Sequence, residues 1–285
     1  MSRLASAFAK ARSEDRAAFV AYLTAGDPDA EATVALARAL DRAGADVLEL
    51  GVPFTDPIAD GPVLQRAAAR ALASGTTLDS VFGMARRIRE ETNLALVLFS
   101  YLNPLYRAGL SGAAARARDA GLDAVLVTDL PPEEAGSYAT AFRAASLDTV
   151  FLVSPTSPAA RMSAAAKLSS GFLYVVSRAG TTGTRAELPA DLPRTVERAR
   201  RAARDLPIAV GFGISNPAAA SRAASLADGV VVGSALVERA EAAGSDRVEA
   251  VAALAGDLAA ACRRVRGHGR SRPRLTGAWG ARPRS

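Results

Sequence analysis

Cysteine and histidine are almost missing from this 285-residue chain: each occurs once, as Cys262 and His268. A lone cysteine excludes an internal disulfide framework and a cysteine-based zinc site. The lone histidine sits in a polar C-terminal stretch, which argues against a serine triad, a histidine metal site and histidine acid–base chemistry. Long apolar runs are missing too; stretches such as 94–99 fall far short of a bilayer span. The N-terminal MSRLASAFAKARSED has no apolar core followed by a cleavage site, so the chain reads as cytoplasmic, without a membrane association. If the protein is an enzyme, carboxylates are the obvious acid–base groups that remain.

The C-terminal tail has no acidic residue to balance its arginines. Residues 267–285 contain five arginines and no Asp or Glu, so the formal net charge of +6 falls to +1 for residues 1–266. A nearly neutral body is a poor electrostatic footprint for nucleic acid. The Gly-, Pro- and Arg-rich tail, which also holds the only tryptophan, Trp279, reads as disordered.

What the chain does have is a rhythm. Short β-type runs occur at 19–24, 47–50, 94–99, 124–128, 149–153, 172–177, 207–212 and 229–233, separated by Ala/Arg/Leu stretches of helical periodicity such as 29–44 and 192–205. Continuous apolar strands alternating with amphipathic helices predict a parallel sheet covered on both faces. Eight such units in roughly 250 residues match a closed (β/α)₈ TIM barrel, with an extra N-terminal helix over 2–12 and a C-terminal helix over 246–266. An open doubly wound sheet is the rival; it calls for a glycine-rich phosphate turn after the first strand, where this chain has TAGDPDA. No linker interrupts the rhythm, so 1–266 reads as a single domain.

In a barrel of this kind the chemistry sits at the C-terminal ends of the strands. Glu49 lies inside the apolar end of the second run, in LELGVPFTDPIADGPVLQRA. Burial raises a glutamate pKa towards neutrality, which suits a proton donor or acceptor at pH 7; a structural glutamate paired with an arginine or backbone amides is the other reading. Asp56 and Asp60 lie in the punctuated loop that follows, where loop capping competes with function, and Asp60 can cap the helix starting at Pro62. After the last three strands come SRAGTTGTRAELP (177–189), GFGISNP (211–217) and GSALVE (233–238). Each brings Gly with Ser or Thr to a strand end, and the last two precede helix N-termini, which favour anions. Tight turns explain each glycine singly; three consecutive late loops favour a phosphate site, with 177–189 as a lid.

The segment at 48–67 is very similar to the signature of the tryptophan synthase alpha chain family. The resemblance extends through AYLTAGDPD (21–29), SYLNPLYRAG (100–109), GLDAVLVTDLPPEEA (121–135), FLVSPTSP (151–158), GFLYVVSRAGTTGTR (171–185) and ADGVVVGSALVE (227–238). It implies a barrel lyase that splits indole-3-glycerol phosphate into indole and glyceraldehyde 3-phosphate without a metal or organic cofactor of its own. The residue matching the family's main acid–base glutamate is Glu49, and Asp60 matches the aspartate that assists at the indole nitrogen. Carried over by motif, Gly183, Gly213, Gly233 and Ser234 bind phosphate. Tyr174 and Phe212 line the same pocket, Tyr22 and Tyr101 fall at family positions near the indole, and Thr182 closes the lid by reaching Asp60.

The resemblance further implies a partner beta chain carrying pyridoxal phosphate, in an α₂β₂ heterotetramer, with Asp56, Pro57, Asn103 and Pro104 facing it. Departures are Thr181 where the family usually has valine, Tyr22 where phenylalanine is frequent, and a tail with no recognised counterpart. A stand-alone indole-releasing lyase and a non-catalytic phosphate binder are the alternatives. An indole-glycerol-phosphate synthase is disfavoured, because the only lysines are Lys10 and Lys167, neither at a strand end.

Overall fold

A computed structural model describes residues 2–176, 188–211 and 213–263. All eight apolar runs form parallel strands: β1 (Ala18–Thr24), β2 (Val47–Gly51), β3 (Ala95–Ser100), β4 (Ala124–Val127), β5 (Asp148–Val153), β6 (Leu173–Val176), β7 (Ile208–Gly211) and β8 (Gly229–Val232). They pair in chain order and close where β1 meets β8, from Ala18↔Gly229 to Ala21↔Val232. The sheet is thus a closed (β/α)₈ barrel, not the open alternative. β1 and β2 are buried at every position, as expected of strands covered on both faces.

The covering helices are α1 (Arg3–Ser13), α2 (Ala30–Arg42), α3 (Pro62–Ala73), α4 (Leu78–Glu91), α5 (Leu102–Arg107), α6 (Leu110–Asp119), α7 (Gly136–Ala144), α8 (Ala159–Leu168), α9 (Leu192–Ala203), α10 (Pro217–Leu226), α11 (Ser234–Ala243) and α12 (Arg247–Ala261). The β2–β3 and β3–β4 connections each hold two helices rather than one. The first pair is divided at Thr77, whose hydroxyl accepts from the Ser80 N–H while the Ser80 hydroxyl takes the Thr77 N–H, so a capping box restarts the helix.

Strand alternation sorts the apolar residues into two cores. Phe19, Ala21 and Leu23 pack outward with the helices. Val20 and Tyr22 face inward with Val47, Val97, Leu126, Tyr174 and Val231. Helix α1 closes the N-terminal end of the barrel: Leu4 and Phe8 join the inner core, and the Phe8 ring lies 5.3 Å from Phe172. Three aspartates seal the same end. Asp46, Asp123 and Asp228 accept the backbone N–H of Phe19, Leu96 and Ile208 and pair with Arg16, Arg89 and Arg200.

Two helix bounds differ from the sequence reading. Ser2 is the cap of α1, its hydroxyl accepting from the Ala5 N–H, and the helix runs on to Ser13. Helix α12 ends at Ala261 rather than 266, because Arg263 pairs back with Arg16 in an isolated bridge. No described helix is long and apolar enough to cross a membrane. The tail 267–285 lies outside the described residues.

Candidate active site

The site opens at the C-terminal end of the barrel. Strand register sets Glu49 of β2 directly beside Tyr22 of β1 and Val97 of β3. Glu49 is 1% exposed, and its Oε1 has no hydrogen-bond partner among the described residues. That removes the reading of a glutamate satisfied by arginine or backbone amides at both oxygens. Burial alone pushes its pKa up to about 8, so the carboxyl is neutral and carries a proton at pH 7.

Asp60 is placed by the loop between β2 and α3. Its N–H donates to the Pro57 carbonyl, and its own carbonyl accepts from Gln65 Nε2. The side chain does not cap α3: Gly61 is the N-cap, without a side-chain bond. Instead Oδ2 accepts a 3.0 Å hydrogen bond from the Tyr101 hydroxyl. That hydroxyl in turn accepts the Ala59 N–H at 3.0 Å, and the Tyr101 ring stacks on Phe54 at 5.1 Å. Asp60 is 7% exposed; burial raises its pKa to about 6, against the Tyr101 hydrogen bond, which lowers it. The two carboxylates therefore sit on opposite sides of neutral pH, one protonated and one ionised.

A pocket open to solvent is lined by Tyr22, Glu49, Tyr174, Gly213, Gly233 and Ser234. Gly233 is the N-cap of α11, and Ser234 is its first residue. Free N–H groups in a first helical turn make an electropositive end suited to a phosphate. Tyr174 and Tyr22 are both buried, and each lies over a strand-end glycine. A Cβ at Gly211 would sit 2.1 Å from the Tyr174 hydroxyl, and one at Gly51 would sit 2.1 Å from the Tyr22 hydroxyl. Only glycine admits the tyrosines in these positions.

The structure thus brings together Glu49, Tyr22, Tyr174, Gly213, Gly233 and Ser234, with Asp60 and Tyr101 joined at the rim. Gly183, Thr182 and Phe212 lie outside the described residues. Leu64, Phe99, Ile214 and Val231 also line the cavity and were not singled out from sequence; the inward phase of β3 through Val97 was the signal for Phe99. Thr24, whose Oγ1 lies 3.3 Å from the Tyr22 hydroxyl, names the partner that the sequence left unassigned. Among the described residues no three His, Cys, Asp or Glu side chains group to hold a metal ion.

Asp56 and Pro57 lie in the loop before Asp60, and Asn103 and Pro104 lie in α5, with Asp56 and Asn103 exposed. Asp129 fixes the start of α5 by accepting the Leu102 N–H at 2.8 Å. The same two segments carry Ile58 and Tyr106, the described large hydrophobic residues that stand out in solvent, 78% and 68% exposed.

Comparison with known proteins gives the family and the same fold. The family profile described as "Tryptophan synthase alpha chain" matches residues 8–263. A tryptophan synthase alpha chain of Solibacter usitatus is 53% identical over 237 residues, covering 83% of this chain and 88% of the relative. One from Opitutus terrae is 46% identical over 267 residues, covering 93% of this chain and 100% of its own length. Among solved structures, a chain of Mycobacterium tuberculosis tryptophan synthase superposes with a TM-score of 0.85 at 37% identity, over 92% of this chain and 98% of that one. The alpha chain from Legionella pneumophila gives 0.83 at 36% identity, over 92% and 97%. The chain belongs to the tryptophan synthase alpha chain family.

Proposed function

We infer that the chain performs its family's reaction, retro-aldol cleavage of indole-3-glycerol phosphate to indole and glyceraldehyde 3-phosphate, with Glu49 and Asp60 as its catalytic residues. The observation that carries the assignment is the buried Oε1 of Glu49, without a partner among the described residues, in a pocket that the N-terminus of α11 also lines. An unsatisfied buried carboxyl costs stability. Its retention is explained by a ligand that supplies the missing partner.

The proton balance closes on one residue. Neutral Glu49 gives its proton to C3 of the indole, which turns the ring into a leaving group. The cationic indolenine presents its N–H to the ionised Asp60, which stabilises the positive charge as it develops. The Glu49 carboxylate then removes the proton of the glycerol hydroxyl on the carbon attached to C3. The C–C bond breaks, its electrons restore the indole, the hydroxyl carbon becomes the aldehyde, and Glu49 is protonated again. A pKa of about 8 makes both transfers accessible at neutral pH. Gly213, Gly233 and Ser234 hold the phosphate in this reading, and Gly183, Thr182 and Phe212 complete the site. No step calls for a metal or organic cofactor in this chain.

Membership of the family implies a beta-chain partner. The finer assignment proposed is an α₂β₂ heterotetramer in the cytoplasm, with pyridoxal phosphate in the beta chain. Asp56, Pro57, Asn103 and Pro104 face the partner, and exposed Ile58 and Tyr106 beside them support that surface. A barrel domain over 1–266 followed by a basic tail completes the proposal.

The test is indole release from indole-3-glycerol phosphate by the purified chain, alone and with a beta chain. Slow release that accelerates on adding the beta chain is expected. Release that ignores the beta chain points to a stand-alone lyase, and no release in either condition overturns the catalytic reading.

A further inference from the structure

Tyr22 spans the two ends of the cavity. Its root packs on the phosphate side, where a Cβ at Gly233 would lie 3.3 Å from the Tyr22 Cβ. Its ring is held edge-on against Phe99, with centroids 5.1 Å apart. Its hydroxyl end lies over Gly51, two residues beyond Glu49, whose backbone pairs with that of Tyr22. In indole-3-glycerol phosphate, the part lying between the phosphate and the indole is the glycerol chain, which carries two hydroxyls. A phenol has one proton to donate and two lone pairs. The hydrogen bond recorded for this hydroxyl is the long one to Thr24, 3.3 Å, in which either oxygen can donate. Thr24 can therefore donate into the phenol oxygen and leave the phenol proton for a ligand. The charges of Asp60 and Glu49 add to burial in raising the Tyr22 pKa, so the phenol keeps its proton at any working pH and acts as a donor.

We propose that Tyr22, anchored by Thr24, is a specificity-determining contact that hydrogen-bonds the glycerol hydroxyls of the substrate. The proposal rests on the cleavage reading and adds to it a residue that recognises the substrate's middle segment. A purely apolar aromatic at this place would fill the same space without offering the glycerol hydroxyls a hydrogen bond.

The experiment compares wild type and Tyr22→Phe on two probes. One is indole-3-glycerol phosphate, read as kcat/KM for indole release; the other is 3-(indol-3-yl)propyl phosphate, which lacks both glycerol hydroxyls, read as a Kd. The expected result is a loss of about tenfold in kcat/KM, the size of one lost hydrogen bond, with the Kd of the propyl analogue unchanged within twofold. Equal losses on both probes would show a packing role, and a kcat/KM within twofold of wild type would show no contact; either overturns the proposal. Thr24→Val is expected to lower kcat/KM in the same direction and to add nothing in the double variant. Additive losses would overturn the anchoring by Thr24. A wild-type chain that releases no indole would instead remove the cleavage reading beneath the proposal.

Discussion

At the residue scale the account turns on two carboxylates given different protonation states by their surroundings. Glu49 is enclosed, and its Oε1 has no partner among the described residues; Asp60 is nearly enclosed but bonded to Tyr101. A folded-state pKa of about 8 against the ordinary 4.5 means that the folded chain holds a proton the unfolded chain has already lost. Stability therefore falls as pH rises from about 4.5 to 8, and the full cost is present above 8. Glu49→Gln removes that cost: its melting temperature should exceed that of wild type at pH 8.5, by the equivalent of about 2–4 kcal/mol, and match it near pH 4. Equal melting at both pH values would contradict the burial argument. Tyr101→Phe deletes the hydroxyl that favours ionised Asp60, so the acid limb of kcat/KM, set by a pKa of about 6 in the free chain, should move up by about one pH unit. Glu49 was legible as a carboxylate inside an apolar strand end. Tyr101 was legible only as a residue type, because its bonds join the end of β3 to Ala59 and Asp60 of the loop before α3.

At the element scale, the strands were readable because each buries both faces and is written as a continuous apolar run. Helix ends were less so, since tertiary bonds decide them. The C-terminal helix looked longer in sequence than α12 is, because periodicity does not reveal that Ala17 donates to the Cys262 carbonyl and Arg263 pairs with Arg16. Nor did it reveal how α3, which follows Asp60, is tied to α11, which begins the phosphate side. Arg70 of α3 bonds both Asp27 oxygens at 2.7 and 2.8 Å and reaches Glu241 of α11 at 2.6 Å; Arg66 bonds Glu241 as well. Arg70→Ala should cost about 1 kcal/mol, modest because the arginine is a third exposed. It should also raise KM several-fold with a smaller change in kcat, as the two ends of the site lose their fixed spacing. Thermal melts and steady-state kinetics check this, and a kcat loss without a KM change would contradict it.

At the scale of the whole molecule, the count of eight runs gave the barrel, and the β1–β8 pairing that closes it came from the structure alone. The two exposed hydrophobic side chains did not stand out in sequence. Ile58 and Tyr106 are ordinary in composition and become conspicuous only when the loop before Asp60 is seen to bond Tyr101 just ahead of α5. Tyr106→Asp should leave indole release by the free chain unchanged and abolish its acceleration by the beta chain. Retained acceleration would place the partner elsewhere.

The central claim is that Glu49 moves the protons of the cleavage, and the direct measurement is indole release by Glu49→Gln beside wild type. Binding of 3-(indol-3-yl)propyl phosphate to both serves as the control for an intact site. Turnover should fall on the order of 10³-fold or more with binding retained, since glutamine keeps the shape and removes the transferable proton. Turnover within tenfold of wild type, with the analogue still bound, would take Glu49 out of the mechanism.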